Sequence, residues 1–198
     1  MDKLGAVILA GGKSRRMGKN KAFLTLDGKT FLAKISEELI GIDEIMLSID
    51  DVEKFASEDI KLVEDMYPNL GPVGGIYSAL RGCRSEYLLV VSCDMPLFKK
   101  ELWQYMITFV DSSYDAFALV TRDKRVQPLC SIYSVNAMHI LEKQIRHGQY
   151  CLHAALDKML VRYIPLQYSN FHDDIVKNVN TPDEYASLSM FVVTKGMI

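Results

Sequence analysis

The chain has 198 residues, 49% of them hydrophobic and 24% charged, values of a globular protein rather than a disordered or fibrous one. Its 23 basic and 25 acidic side chains give a net charge of −2, so no global basic field points to nucleic acid, and any attraction for a polyanion has to be local. No apolar run approaches the roughly 18–20 residues of a bilayer-spanning helix, and the short Gly5–Ala10 run, preceded by Asp2 and followed at once by a cationic loop, does not read as a signal segment. The expected location is the cytoplasm, with no membrane and no nucleic acid as partner.

Strand and helix patterns alternate from the start. Leu4–Ala10 is a continuous apolar run closed by Gly11-Gly12, as expected of a strand covered on both faces. Phe31, Leu32, Ile35 and Leu39 recur at helical spacing, and Glu44–Ile49 and Lys61–Glu64 are short strand candidates. Ile76, Ala79, Leu80 and Cys83 give a helix with one apolar face. Tyr87–Val91 is the most hydrophobic stretch and predicts a central strand. Leu102, Trp103, Met106 and Val110 mark a further helix, Ala116–Thr121 and Leu129–Tyr133 further strands, and Leu152, Ala155, Leu156, Met159 and Leu160 another helical stripe. Pro182 suits the first turn of a last helix, capped by Thr181. Alternating β and α units predict one three-layer, Rossmann-like α/β domain over residues 1–198, with a mostly parallel sheet and helices on both faces.

Cys83, Cys93, Cys130 and Cys151 lie 10, 37 and 21 positions apart, which fits no metal-binding or redox spacing, and they read as small apolar residues. His139, His147, His153 and His172 show no ligand pairing; His139 and His147 are expected on a helix surface, and none is assigned to catalysis.

The richest segment runs from Leu9 to Lys21, directly after the first strand, where an α/β sheet binds its ligands. Gly11 and Gly12 remove β-carbons and let backbone N–H groups approach a phosphate. Five cations, Lys13, Arg15, Arg16, Lys19 and Lys21, fall within nine positions without an acid among them. Such crowding is costly unless a polyanion such as a magnesium triphosphate compensates it; an exposed basic turn is the plainer alternative. The loop is neither a Walker A sequence nor a GxGxxG fingerprint, and the missing fingerprint speaks against a simple oxidoreductase. Further along, Ser92-Cys93-Asp94-Met95-Pro96 sets Asp94 at the carboxyl end of the hydrophobic strand, on the same sheet edge. A carboxylate there is a natural ligand for Mg²⁺, which takes few protein ligands; alternatively Asp94 caps the next helix.

The stretch Leu9-Ala10-Gly11-Gly12-x-Ser14-x-Arg16-Met17-Gly18-x-x-Lys21 resembles the signature loop of nucleotidyltransferases with a glycosyltransferase-A-like Rossmann fold (the nucleotide-diphospho-sugar transferase-like fold). Among these it is most similar to the molybdenum cofactor guanylyltransferases, and the matching motifs run in family order from Leu4 to about Tyr185. The resemblance implies transfer of GMP from GTP to the terminal phosphate of molybdopterin, with release of pyrophosphate and Mg²⁺ as cofactor. It places Leu9, Ala10 and Gly11 on the nucleotide through backbone atoms, with Gly12 and Ser14 in the same loop, and Lys21 on the phosphates. It implies that Asp94, in Cys-Asp-x-Pro, carries the metal. Asp65 would bind the nucleotide, and Gly71–Gly75 would start the following helix. Asn178 and Asn180 would face the molybdopterin side. Transient contacts with cofactor-biosynthesis or acceptor proteins go with such a product. One departure is Ser48, near the base and ribose, where the family often has asparagine.

The implied chemistry is in-line attack of a substrate phosphate on the α-phosphorus, a barrier that is largely electrostatic. Catalysis would fall to Asp94 through its metal and to Lys21 with Arg15 or Arg16, which stabilise charge moving onto pyrophosphate. A phosphate nucleophile is already ionised at neutral pH, so no general base is required. Two alternatives stand beside this reading: cytidylyl transfer to a pterin or to a small sugar or polyol phosphate, and a nucleotide-binding regulatory module without catalysis.

Overall fold

The computed structural model describes residues 3–11, 20–56 and 59–195, with side chains as far as 188. Arg15, Arg16, Gly12 and Ser14 of the cationic loop therefore lie outside the described residues. In chain order the elements are β1 (Leu4–Leu9), β2 (Thr25–Leu26), β3 (Lys29–Thr30), α1 (Phe31–Glu38), β4 (Glu44–Ile49), β5 (Lys61–Glu64), α2 (Pro72–Gly82) and β6 (Tyr87–Ser92). Then follow α3 (Lys100–Ile107), β7 (Ala116–Val120), β8 (Val126–Ser134), α4 (Ala137–Arg146), α5 (Leu152–Leu156), β9 (Val161–Pro165) and α6 (Pro182–Lys195).

Among the described residues, seven strands form one sheet in the order β5-β4-β1-β6-β8-β7-β9, and β2 and β3 pair as a separate small ribbon. The β5, β4, β1 and β6 neighbours are parallel, as are β7 and β9, whereas β8 is antiparallel to both of its neighbours. Every residue of β1 and of β6 is buried. Side chains alternate between the two faces and both faces are covered, which is why both strands read as apolar runs without alternation. Leu4, Ala6 and Ile8 enter a core shared with Leu32 and Ile35 of α1 and Leu102 and Met106 of α3. Val7 and Leu9 enter another with Ile76 and Leu80 of α2, Leu141 of α4 and Leu156 of α5. The sheet thus carries helices on both faces.

Boundaries differ from the sequence reading where the chain turns for a tertiary reason. The Leu152–Leu160 stripe is helical only to Leu156: Met159 is buried, but Leu160 is 58% exposed, its N–H held by the Asp115 carboxylate (2.8 Å) as the chain enters β9. Helix α3 closes at Ile107, and Val110 follows in a turn through its bond to Ile107 O (3.1 Å). The first strand stops at Leu9, and Cys83 is the residue that caps α2 rather than part of it. His139 sits exposed on α4 and His147 exposed at its end. No helix among the described residues is long and apolar enough to cross a membrane.

Candidate functional site

Four parallel strands, β5, β4, β1 and β6, bring their carboxyl ends to one edge, and the site is built there. Just past β1, the N–H groups of Ala10 and Gly11 both donate to Ser48 O (2.9 and 3.1 Å), while Cys93 N donates to Leu9 O (3.0 Å). The start of the loop is thereby stapled between β4 and β6. These two N–H groups are thus committed to the sheet.

A cavity of about 430 Å³ opens beside this staple, within the range of small-molecule sites. Leu9, Gly11, Ser48, Asp65, Gly75 and Ser92 are among its walls, with Asp50, Asn69, Gly71, Pro72 and Leu129 completing them. Asp65 follows β5 directly, and its position is set from two sides. Ser48, buried on β4, donates its hydroxyl to Asp65 Oδ1 (3.2 Å). Ser78 Oγ of α2 accepts from Met66 N (2.9 Å) and donates to Gly74 O (2.9 Å), which ties the turn after Asp65 to the helix. Burial pushes the Asp65 carboxyl up to about 6; the Ser48 hydroxyl opposes the rise and the neighbouring Asp50 charge adds to it.

Helix α2 reaches the cavity through glycines. Gly71, at its N-cap, has φ 63° and ψ −151°, a conformation essentially reserved for glycine, and Pro72 follows at the first helical position. At Gly75 a β-carbon would lie 2.6 Å from Ser48 Oγ, 3.3 Å from Leu9 Cδ2 and 3.4 Å from Asp65 Oδ1. The close approach of α2 to the Ser48–Asp65 pair thus requires that this residue have no side chain.

Lys21, Asp94 and Asn180 meet two residues beyond Ser92. Asn20 accepts from Ala22 N (3.0 Å) and caps the 3₁₀ turn Lys21–Phe23. Lys21 Nζ then donates to Asp94 Oδ2 (2.9 Å) and to Asn180 Oδ1 (2.6 Å), with only 15% of the lysine and 12% of the aspartate side chain exposed. Asp94 O accepts from Val179 N (2.9 Å). Asp94 does not cap the following helix, whose N-cap is Lys99. Its Oδ1 is buried and has no hydrogen-bond partner among the described residues, and the same holds for Asn178 Oδ1. A carboxylate oxygen shielded from water and unbonded is costly.

The last arm of the site is fixed by α6. Thr181 Oγ1 accepts from Glu184 N (3.2 Å), while Glu184 Oε2 accepts from Thr181 N (3.0 Å) and Asn180 N (2.6 Å), a reciprocal capping box. Thr181 and Pro182 therefore do what the sequence led one to expect. Glu184 was legible in the spacing Thr181-Pro-Asp-Glu but went unread, whereas Asn20, Ser92 and Leu129 gave no local signal. Burial pushes the Cys93 and Cys130 thiols up to about 12, with the Asp94 charge adding to the first, so neither is a nucleophile. Of the residues singled out in the sequence, Lys21, Asp94 and Asn180 form one cluster, Leu9, Gly11 and Asp65 line the cavity on the same sheet edge, and Ala10 is bonded to Ser48 O on β4.

Among the described residues, the carboxyl edge of the sheet thus presents a polar-lined cavity of small-molecule size and, two residues past Ser92, a lysine–carboxylate pair. A sequence-family model described as the MobA-like NTP transferase domain matches residues 6–162. A probable molybdenum cofactor guanylyltransferase of Clostridium perfringens (strain 13 / Type A) is 35% identical, over 95% of this chain and 97% of its own. A molybdenum cofactor guanylyltransferase of Desulfosudis oleivorans is 28% identical, covering 93% of each. Among solved structures, molybdopterin-guanine dinucleotide biosynthesis protein A from Archaeoglobus fulgidus superposes with a TM-score of 0.85 at 24% identity, covering 96% of this chain and 99% of that one. At that identity the likeness speaks for the fold alone.

Proposed function

The chain belongs to the family of MobA-like NTP transferases, and from that premise we infer that it transfers GMP from GTP to the terminal phosphate of molybdopterin, forming the guanine dinucleotide cofactor and releasing pyrophosphate. The observation that carries the chemistry is the Lys21–Asp94 pair, with Asp94 Oδ1 lacking a hydrogen-bond partner among the described residues, on the same carboxyl edge of the sheet as the cavity. Residues 1–198 are taken to work as one nucleotidyltransferase unit. The four free cysteines suit a reducing compartment, which supports a cytoplasmic reaction.

Each group has a definite task in this reading. The cavity takes base and ribose. Its walls offer the Asp65 carboxylate and the Ser48 and Ser92 hydroxyls, an acceptor-rich set. Guanine, which presents N1–H and N2–H₂ side by side, answers a carboxylate better than cytosine, whose corresponding edge has a single amino donor and otherwise acceptors. This favours GTP over CTP. Asp94, an oxygen donor with one oxygen unpartnered among the described residues, fits Mg²⁺, a hard cation content with one or two carboxylates plus phosphates. Bound there, the metal would withdraw charge from the α-phosphate. Lys21, with Arg15 or Arg16 from the loop, would stabilise the charge arriving on pyrophosphate as the new P–O–P bond forms and the α–β bridge breaks. The pterin phosphate is the nucleophile and needs no base. Asn178 and Asn180, on the arm before α6, would meet the acceptor, and passing such a product onward would call for transient contacts with acceptor proteins.

The test is pyrophosphate release from molybdopterin with GTP, CTP or ATP and Mg²⁺. Release with GTP alone, lost in Asp94→Ala, supports the reading. Release with CTP instead would move the chain to cytidylyl transfer, and no release from any triphosphate that binds would leave a regulatory module.

A further inference from the structure

We propose that Asn180 is a positioning residue for Lys21, holding its ammonium where the triphosphate arrives, and so works on the nucleotide side of the reaction as well as beside the acceptor. The inference rests on the reading of Lys21 as the phosphate contact.

Lys21 Nζ has two partners among the described residues, Asp94 Oδ2 at 2.9 Å and Asn180 Oδ1 at 2.6 Å. An ammonium carries three N–H donors, so one remains for a phosphate oxygen. The two bonds fix the direction of the third. They do different electrostatic work: Asp94 opposes the lysine charge, whereas the amide oxygen of Asn180 is neutral and leaves that charge intact. With Lys21 only 15% exposed, Asn180 takes the place of a water that burial has removed. Only the amide oxygen can accept from an ammonium, so Asn180 Nδ2 is the end turned away from Lys21.

Asn180 is itself held firmly. Its N–H donates to Glu184 Oε2 (2.6 Å), within the capping box of α6, and the preceding residue is bonded through Val179 N to Asp94 O (2.9 Å). The loop therefore grips both members of the Lys21–Asp94 pair, one by a side chain and one by the backbone. A residue that served only the acceptor would need neither tie.

The experiment combines a ligand-free and a ligand-bound measurement on the full chain. Urea unfolding of wild type, Asn180→Ala, Lys21→Met and the double variant forms a cycle. The cost of Asn180→Ala should shrink sharply once Lys21 is replaced; equal cost in both backgrounds overturns the proposal, whether or not GTP is the substrate. Titration with GTP and Mg²⁺ should then show Asn180→Ala weakened about tenfold, the scale of a lost hydrogen bond to a charged group. Asn180→Asp should be weaker still, because its carboxylate competes with phosphate for the lysine. Asn180→Ala should change nothing in the Lys21→Met background. Wild-type affinity in Asn180→Ala would assign the residue to the acceptor alone. Absence of GTP binding in the wild type would instead strike the functional reading, with the unfolding cycle still deciding the Asn180–Lys21 link.

Discussion

Replacing Gly75 by alanine should damage the cavity from behind. The new β-carbon would lie 2.6 Å from Ser48 Oγ, a separation that cannot persist, and 3.3 Å from Leu9 Cδ2. Neither neighbour is the free end of a long side chain: Ser48 is buried on β4, and its hydroxyl is engaged with Asp65 at 3.2 Å. Overpacking of this kind costs about 1–3 kcal/mol, and the broken Ser48–Asp65 bond adds about 1 kcal/mol. Against this, alanine in place of a helical glycine contributes about 1 kcal/mol. The net loss of about 1–3 kcal/mol corresponds, in a chain of this size, to a melting temperature lower by about 2–12 °C. Gly82→Ala is the control, since that glycine is exposed in the last turn of the same helix with nothing within 4 Å of the added carbon. Only the helix gain applies there, and its melting point should rise by about 2–4 °C. Calorimetry on the two variants, followed by GTP titration, reads the difference: Gly75→Ala should lose affinity and Gly82→Ala should not. A Gly75→Ala protein that melts with or above wild type and binds GTP normally would refute the steric argument.

Other expectations follow from the same site. The folded Asp65 carboxyl, raised to about 6 from an ordinary 3.8, holds its proton more tightly than the unfolded chain does. Stability owed to this group therefore falls as pH rises from about 3.8 to about 6 and stays lower above that. Asp65→Asn should accordingly outlast wild type in urea at pH 7.5, the advantage vanishing near pH 4, while GTP affinity of the wild type should fall as pH drops through about 6. Ser48→Ala, which removes the hydrogen bond that opposes the rise, should move that affinity limb to higher pH. Thr181→Ala and Glu184→Ala each open the capping box and should cost about 1–2 kcal/mol in unfolding free energy. Asp94→Asn, which keeps the shape but not the charge, should lower pyrophosphate release by at least about 100-fold while leaving the far-ultraviolet circular dichroism of the fold unchanged.

The nucleotide half of the sheet was legible because its strands are buried on both faces and follow one another in register: β4 and β5 matched residue for residue, and β6 differed only by Ser92. Strand β9 was not legible, since Val-Arg-Tyr-Ile-Pro mixes charge and proline. Its Arg162 is held by tertiary partners no local pattern reveals, lying over the Phe109 and Tyr114 rings (5.5 and 5.9 Å) and donating to Phe109 O (3.0 Å). The direction of β8 was equally hidden, as alternation gives a strand but not its sense. Pro128, one residue before the strand read from the sequence, is accommodated at a register shift opposite Ala118 and Leu119, where proline's missing N–H does no harm. In the site, Lys21 and Asp94 were readable as candidates from type and place, and Asp65 through the family resemblance. The Ser48–Asp65 bond and the turn of Asn180 toward Lys21 were not, because they join segments 17 and 159 positions apart.

That long span has a consequence for the timing of synthesis. Lys21 and Asp94 are 73 positions apart, and Asn180 is 159 positions after Lys21. A ribosome working at about 5–20 residues per second delivers the first two several seconds before the third. Until then a nascent chain can pair β1 with β6 but has no arm to close over the lysine, so the strands are assembled before the chemistry is armed. Chains interrupted after β9 would carry the whole sheet and yet lack the final grip on Lys21.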